Sequence, residues 1–207
     1  FISANMDTVT ESEMALAMAN RGGLGILHRF MDPNDQVLQV KKIREGLTKL
    51  DHPLPLAASI GVKEDGKLRA DLLADVGVEI LTIDIAHGDS VMMLEILDHV
   101  KKKYPKIDII AGNVATPDAT KRLIEHGADA VKVGIGPGSM CTTRIITGHG
   151  VPQLTAVALC ASEASKYNVP VIADGGLKNS GDVVKALSAG ASTVMVGSLV
   201  AGTLETP

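Results

Sequence analysis

One short stretch of the sequence, GIGPGSMCTTR at residues 134–144, combines conformationally flexible residues with a potential nucleophile. It places Cys141 behind three glycines and a proline, and in front of two threonines and Arg144. The thiolate is the reactive form of cysteine, and a nearby cation such as Arg144 or a bound substrate stabilises it. We therefore predict that Cys141 is a nucleophile carried on an exposed, mobile loop.

The second cysteine, Cys160, has different neighbours. It lies in the run Ala-Leu-Cys-Ala within an apolar helical stretch, which is typical of a buried cysteine that only fills space. Two cysteines are too few for a disulfide framework, so the composition favours a reducing, cytoplasmic compartment. Of the two cysteines, only Cys141 is therefore expected to act as a nucleophile.

Two glycine-containing segments near the end of the chain indicate a phosphate site. Gly176 follows one strand-like run, and Gly197 with Ser198 follows the next. Because glycine has no Cβ, backbone N–H groups at such positions can approach a phosphate closely. Asp174, just before the first segment, would accept hydrogen bonds from a ribose diol. Together these residues predict a binding site for a nucleoside monophosphate.

Overall charge and hydropathy exclude two classes of partner. The formal net charge is −4 and the basic residues do not cluster, so the chain is not expected to bind nucleic acid. The densest basic run, residues 101–103, is typical of the solvated end of a helix. No apolar run reaches the roughly 18 residues that a membrane span needs, and we therefore expect no membrane partner.

Short runs rich in Val, Ile and Leu alternate with amphipathic stretches along the chain. Strands are predicted at Phe1–Ala4, Leu24–Leu27, Leu56–Ile60, Ile80–Ile83, Ile109–Ala111, Ala130–Val133, Pro170–Ala173 and Thr193–Val196. Helices are predicted at Glu11–Asn20, Pro33–Glu45, Asp65–Asp75, Ser90–Lys103, Pro117–His126, Thr155–Tyr167 and Ser180–Ser188. Eight strands alternating with helices favour a single catalytic domain over residues 1–207, a parallel (β/α)8 TIM barrel. A doubly wound open sheet is the competing layout.

The ends of the chain and one long connection depart from the regular pattern of a (β/α)8 barrel. The sequence opens inside a strand-like run and offers seven helices for eight strands, so we expect a piece of a longer polypeptide whose closing helix follows Pro207. The sixth and seventh predicted strands begin 40 residues apart, at Ala130 and Pro170. A long loop inside a compact domain is usually functional, and this one contains Cys141.

Several of these segments resemble one enzyme family. The chain is similar to the IMP dehydrogenase and GMP reductase family at residues 5–11, 112–116, 134–144, 150–153, 172–176 and 196–203. The pattern Gly-x-Gly-Pro-Gly-Ser-x-Cys-Thr-Thr-Arg is highly specific, and the match extends over nearly the whole chain. The resemblance implies a barrel enzyme, usually a homotetramer, that acts on IMP or a related purine nucleotide with a nicotinamide cofactor.

The resemblance also implies roles for individual residues. Cys141 would attack C2 of the purine, and Thr143 would assist that chemistry, while hydride leaves C2 for NAD. Phosphate would be held by Ser139, Gly176, Gly197 and Ser198, and the ribose by Asp174. The nicotinamide side would be lined by Asp84, His87, Asn113 and Gly134. Carbonyl groups of Gly136, Gly138 and Cys141 would coordinate a potassium ion that shapes the loop.

Some positions depart from the family's usual pattern. The regulatory CBS pair that many IMP dehydrogenases carry after the second helix is absent from this sequence, and the flap that activates water would follow Pro207. Asn5 is typical of the reductases, whereas residues 84–88 and residues 145–147 are typical of the dehydrogenases. His28-Arg29 replaces the usual His-Lys of both groups.

Of the possible functions, NAD-dependent IMP dehydrogenase is favoured. GMP reductase, which uses NADPH to deaminate GMP, is the alternative because it begins with the same cysteine attack. Two other classes stay open. An FMN-dependent barrel oxidoreductase would use the same phosphate loops without needing Cys141, and a non-catalytic purine nucleotide sensor would bind IMP without forming a cysteine adduct.

Overall fold

Eight parallel strands close into a barrel in the computed structural model, which describes residues 1–51 and 54–207. Each strand pairs with its neighbours in chain order, and β1 also pairs with β8. The strands are β1 Ile2–Ser3, β2 Leu24–Leu27, β3 Ala57–Ile60, β4 Ile80–Asp84, β5 Asp108–Val114, β6 Ala130–Val133, β7 Val171–Asp174 and β8 Thr193–Val196. The predicted (β/α)8 barrel is confirmed, and the closed sheet excludes the doubly wound alternative.

The helices lie where the amphipathic pattern predicted them, with one addition. They are α1 Ser12–Ala19, α2 Pro33–Leu47, α3 Glu64–Asp75, α4 Val91–Lys103, α5 Pro117–Glu125, α6 Thr143–Thr147, α7 Gln153–Ala164 and α8 Ser180–Ser188. Side chains that accept a backbone N–H cap four of them, from Asp32, Ser90, Thr116 and Asn179. The short α6 was not predicted, and it follows Cys141 directly within the long β6–α7 connection.

Side chains alternate between two cores along the strands. The inward positions of the strands form a small core inside the barrel, which includes Ile2, Ile26, Ala57, Ile110, Ile172 and Met195. The residues next to them point outward and join the larger core between sheet and helices, as Leu27 and Ala58 do. This period of two is what an extended strand imposes on its side chains. It also fixes which polar residues face the interior of the barrel.

An irregularity in β5 marks the carboxyl-terminal end of the barrel. Gly112 is in register with Lys132 on β6, but the next paired residues are Val114 and Val133, so Asn113 is an extra residue in the strand. Such bulges redirect side chains and are frequent beside functional sites.

Within the described residues, no helix has both the length and the apolar character required to cross a bilayer.

Candidate active site

A cavity of about 560 Å³ opens at the carboxyl-terminal end of the barrel. It brings together ten of the predicted site residues, namely Asn113, Gly134, Gly136, Gly138, Ser139, Cys141, Asp174, Gly176, Gly197 and Ser198. Three others lie outside its lining. Thr143 is in α6, Asp84 is the last residue of β4, and His87 is exposed on the β4–α4 loop.

Cys141 is exposed at the mouth of this cavity. Its thiol donates to the hydroxyl oxygen of Thr143, with the Sγ and Oγ1 atoms 3.2 Å apart. Its backbone N–H donates to the carbonyl of Gly138 at 3.1 Å, which tightens the turn before it. Cys160, in contrast, is buried in α7, and burial raises the pKa of its thiol. The two cysteines therefore differ in access, as the sequence suggested.

Arg144 binds the two ends of the cysteine loop rather than the thiol. Its guanidinium donates from Nη2 to the carbonyl of Val151 at 2.6 Å and from Nε to that of Ile135 at 3.2 Å. A Cβ at Gly136 or at Gly150 would lie 2.6 or 2.7 Å from the Cγ of Arg144, so glycine makes room for this side chain. The expected stabilisation of the Cys141 thiolate by Arg144 is not what these contacts provide, because they hold the neck of the loop.

The loop after β7 packs against the cysteine loop through two glycines. Gly175 and Gly176 have φ angles of +89° and +79°, in the left-handed region that favours glycine. A Cβ on Gly175 would lie 2.9 Å from the backbone nitrogen of Gly138. The predicted phosphate and cysteine loops thus touch at positions where any side chain would separate them.

Gln153, a residue that the sequence analysis did not single out, forms hydrogen bonds to the last residues of both β6 and β7. Its Nε2 donates to the carbonyl of Val133 at 2.9 Å and to that of Asp174 at 3.1 Å. Its Oε1 is buried without a hydrogen-bond partner. The signal in the sequence was its place directly after a proline at the start of α7, but many helices begin with such residues.

Lys132 is the second residue that the sequence analysis did not single out. It is 2% exposed, and its Nζ lies 2.6 Å from Oδ2 of Asp174 and 2.9 Å from Oδ1 of Asp84. Asn5 donates to the other oxygen of Asp84 at 2.8 Å. The signal was a charged residue in the otherwise apolar run Ala-Val-Lys-Val, which a buried strand tolerates only when the charge is paired.

Asn113 contacts both the β7 carboxylate and the start of the cysteine loop. Its Nδ2 donates to Oδ2 of Asp174 at 2.9 Å and to the carbonyl of Gly134 at 2.8 Å. Its Oδ1 is buried without a partner. Lys132 and Asn113 both bind Oδ2 of Asp174, and Oδ1 of that carboxylate has no hydrogen-bond partner among the described residues. An unused acceptor therefore remains on each of the two side chains.

The residues of the site offer few ligands for a transition metal. Within residues 1–51 and 54–207, no group of three or more His, Cys, Asp or Glu is placed to hold a metal ion. The carbonyl of Gly138 already accepts the N–H of Cys141 and retains a second lone pair. Neutral carbonyl oxygens of this kind suit hard cations better than transition metals.

Fold and cavity together define a class, the TIM-barrel proteins with a candidate nucleophile at the end of the barrel where such enzymes place their chemistry. Residues 1–207 match the family described as IMP dehydrogenase / GMP reductase domain. The chain belongs to this family, and the resemblance inferred from its motifs is confirmed.

Three curated relatives are each named inosine-5′-monophosphate dehydrogenase. The protein from Staphylococcus aureus is 56% identical and is matched over all of this chain and 67% of its own length. Those from Cryptosporidium parvum and Borreliella burgdorferi are 45% and 40% identical, again over all of this chain. The chain spans only 60% and 62% of the length of these two relatives.

Proposed function

We propose that this chain is the catalytic barrel of an IMP dehydrogenase, which oxidises IMP to XMP with NAD. The observation that carries the proposal is the exposed Cys141 at the mouth of a cavity that Asp174 and two glycine-containing loops also line. The names of the curated relatives support the same activity. An enzyme of this kind would serve guanine nucleotide synthesis.

The chemistry requires a nucleophile that can bind and then release the purine. The thiol of Cys141 would lose its proton as Sγ bonds to C2 of IMP. NAD, when bound, would accept the hydride that C2 gives up, which leaves a thioimidate on the cysteine. Water would then attack C2 and the C2–S bond would break, which returns the thiol and releases XMP. Thr143, whose hydroxyl accepts from the thiol, is proposed to assist at the sulfur.

Binding of the nucleotide is assigned to the loops that surround Cys141. Backbone and hydroxyl groups of Ser139, Gly176, Gly197 and Ser198 would hold the phosphate. Oδ1 of Asp174, which no described residue binds, would accept hydrogen bonds from the ribose diol. If the phosphate contributes as proposed, inosine should bind much more weakly than IMP in a titration. Equal affinity for the two would contradict the phosphate site.

The cofactor side is assigned to Asp84, His87, Asn113 and Gly134. NAD, when bound, supplies the hydride acceptor. Oδ1 of Asn113 is buried without a partner, and it would accept the N–H of a carboxamide such as that of nicotinamide only if cofactor binding exposed it. His87 is exposed outside the cavity lining, so its part in cofactor binding stays a prediction for mutagenesis to test.

A potassium ion is proposed to order the cysteine loop through the carbonyls of Gly136, Gly138 and Cys141. Activity should then fall when sodium or lithium replaces potassium, and unchanged activity would contradict the assignment.

We also propose that the protein works as a cytoplasmic homotetramer. Sedimentation of the full-length protein would test the assembly.

The activity itself is tested by following the absorbance of the reduced cofactor in the full-length protein. With IMP and NAD the absorbance should rise, and mass spectrometry of quenched samples should detect a purine adduct on Cys141. A signal that only falls, with GMP and NADPH, would identify a GMP reductase. A bound yellow flavin would identify an FMN enzyme, and IMP binding with no adduct would identify a sensor.

A further inference from the structure

Lys132 lies inside the barrel, and the period of β6 explains why. Val131 and Val133 face outward and join the core between sheet and helices. The residue between them must therefore point into the barrel. Its stem passes beside the apolar interior, and its ammonium ends at the layer where the strands finish. Within the described residues, no other lysine is buried.

The ammonium of Lys132 binds carboxylates from two different strands, Asp84 at the end of β4 and Asp174 at the end of β7. Under the proposed function these carboxylates have different tasks, since Asp174 would bind the ribose and Asp84 would face the cofactor. One cation therefore contacts both halves of the site. Neither the motifs nor the proposed reaction steps give Lys132 a role.

Electrostatics favours the charged forms of Lys132 and Asp84. Burial disfavours the charge of Lys132, but the two carboxylates outweigh burial and raise the pKa of its ammonium above its ordinary value. Burial likewise opposes the charge of Asp84, but the ammonium beside it and the amide of Asn5 lower the pKa of this carboxyl. Without the ammonium, Asp84 would keep the cost of burial and lose the cation that offsets it, with the side chain of Asp174 on the other side of the gap.

We propose that Lys132 is a positioning residue, which holds Asp84 and Asp174 together as carboxylates and so sets the ribose-binding oxygen of Asp174. The inference rests on the proposed function only in that the ligand of Asp174 is a ribose diol. Lys132 binds Oδ2 of Asp174 and thereby leaves Oδ1 for the ligand. The residue acts on binding selectivity through the carboxylate and takes no part in bond formation.

The test compares IMP with 2′-deoxy-IMP, which lacks one hydroxyl of the diol, in titrations of the full-length protein. The wild type should prefer IMP. Lys132→Met should weaken IMP binding by about tenfold or more and should affect the deoxy nucleotide less, so that the preference collapses. Lys101→Met is the matched control, because it breaks a lysine–aspartate pair of 2.6 Å that includes no residue of the cavity lining. It should keep the preference.

The double variant Lys132→Met with Asp84→Asn separates positioning from a general effect on folding. It removes one positive and one negative charge, which keeps the net charge of the triad and relieves the repulsion on Asp174. Part of the preference for IMP should therefore return. An unchanged preference in Lys132→Met would overturn the proposal, and so would a loss that the second substitution does not reduce.

Stability measurements keep the inference testable if the wild type fails to bind IMP, an outcome that would overturn the proposed function alone. The free energies of unfolding of the wild type, Asp84→Asn, Lys132→Met and the double variant form a cycle. Asp84→Asn should destabilise the wild type but not the Lys132→Met variant. Equal effects of Asp84→Asn in both backgrounds would show that the two groups are not coupled, and would overturn the inference.

Discussion

The two ends of the barrel use a lysine and an aspartate in different ways. At the amino-terminal end, Asp129 binds Lys101 at 2.6 Å and the backbone N–H of Ile109 at 2.7 Å, through the same oxygen. This pair is partly exposed and closes the turn before β6. At the carboxyl-terminal end, Lys132 is buried between two carboxylates, and acceptor atoms nearby have no partner.

The difference distinguishes a stabilising contact from a candidate binding site. Lys101 and Asp129 pair with each other at the amino-terminal end, where both are partly exposed to solvent. An exposed ion pair of this kind adds only a little to the stability of the fold. The carboxyl-terminal end leaves Oδ1 of Asn113 and Oε1 of Gln153 buried and unpaired, which costs free energy unless a ligand or water binds them. We therefore expect substitutions at this end to affect activity first and those at the other end to affect stability alone.

The largest expected effect at the carboxyl-terminal end of the barrel comes from substitution of Cys141. Cys141→Ser should lower turnover roughly a thousandfold or more, because the covalent step loses its nucleophile. Nucleotide binding should persist, since the loops that would hold phosphate are unchanged. Steady-state kinetics and a titration with IMP measure the two properties separately, and substantial turnover by this variant would refute the assignment.

Cys160 supplies the matched control for that experiment. Cys160→Ser should stay active, because the residue packs inside α7 away from the cavity. Burial raises the pKa of its thiol, so in mildly alkaline buffer an alkylating reagent should modify Cys141 first, and Cys160 should react once the protein is unfolded. Peptide mass spectrometry identifies the modified residue.

Loss of the Arg144 contacts should have the next largest effect. Arg144→Met removes the bonds to Ile135 and Val151, so the neck of the loop opens and Cys141 is displaced. Misplacement of a reacting group by about 1 Å can cost on the order of a hundredfold in rate, and we expect a loss of about ten- to a hundredfold in turnover. Arg122→Met, on the exposed face of α5, should leave turnover within about twofold. Equal turnover in the two variants would exclude this role for Arg144.

Two glycine positions allow strain to be separated from contact between loops. Gly22→Ala, at φ +74° with nothing within 4 Å of the added Cβ, should cost about 1 kcal/mol through backbone strain alone. Gly175→Ala should cost about 1–3 kcal/mol, because the same strain is joined by the approach to Gly138, and it should also weaken nucleotide binding. Denaturant unfolding measures the two losses, and equal losses would show that the loops do not constrain each other.

The smallest effect is expected from the amino-terminal lysine. Lys101→Met should lower the free energy of unfolding by about 1 kcal/mol or less, because the pair is partly exposed and screened by water. Nucleotide affinity and turnover should stay at wild-type values. A change in either would mean that the two ends of the barrel are coupled, contrary to the comparison drawn above.

Most of the architecture was predictable because its signals are local. β2, β6 and β8 begin and end at the predicted residues, and the other strands differ by a few positions, with β5 extended through its irregularity to Val114. The helical stretches were set by their apolar spacing and by capping residues such as Thr116 and Asn179. The short α6 escaped prediction because five residues are too few to show a period.

The sequence by itself determined the strand and helix order, the exposed cysteine loop and the family, since each depends on residues close together in the chain. Only the tertiary structure decided that Lys132 lies between Asp84 and Asp174. Asp174 is 42 positions after Lys132 in the chain. The physical reason is that closing the sheet brings inward-facing positions of separate strands to one layer, where a buried charge must find its partners. The folded loop likewise shows contacts of Arg144 that the sequence did not predict, with the carbonyls of Ile135 and Val151.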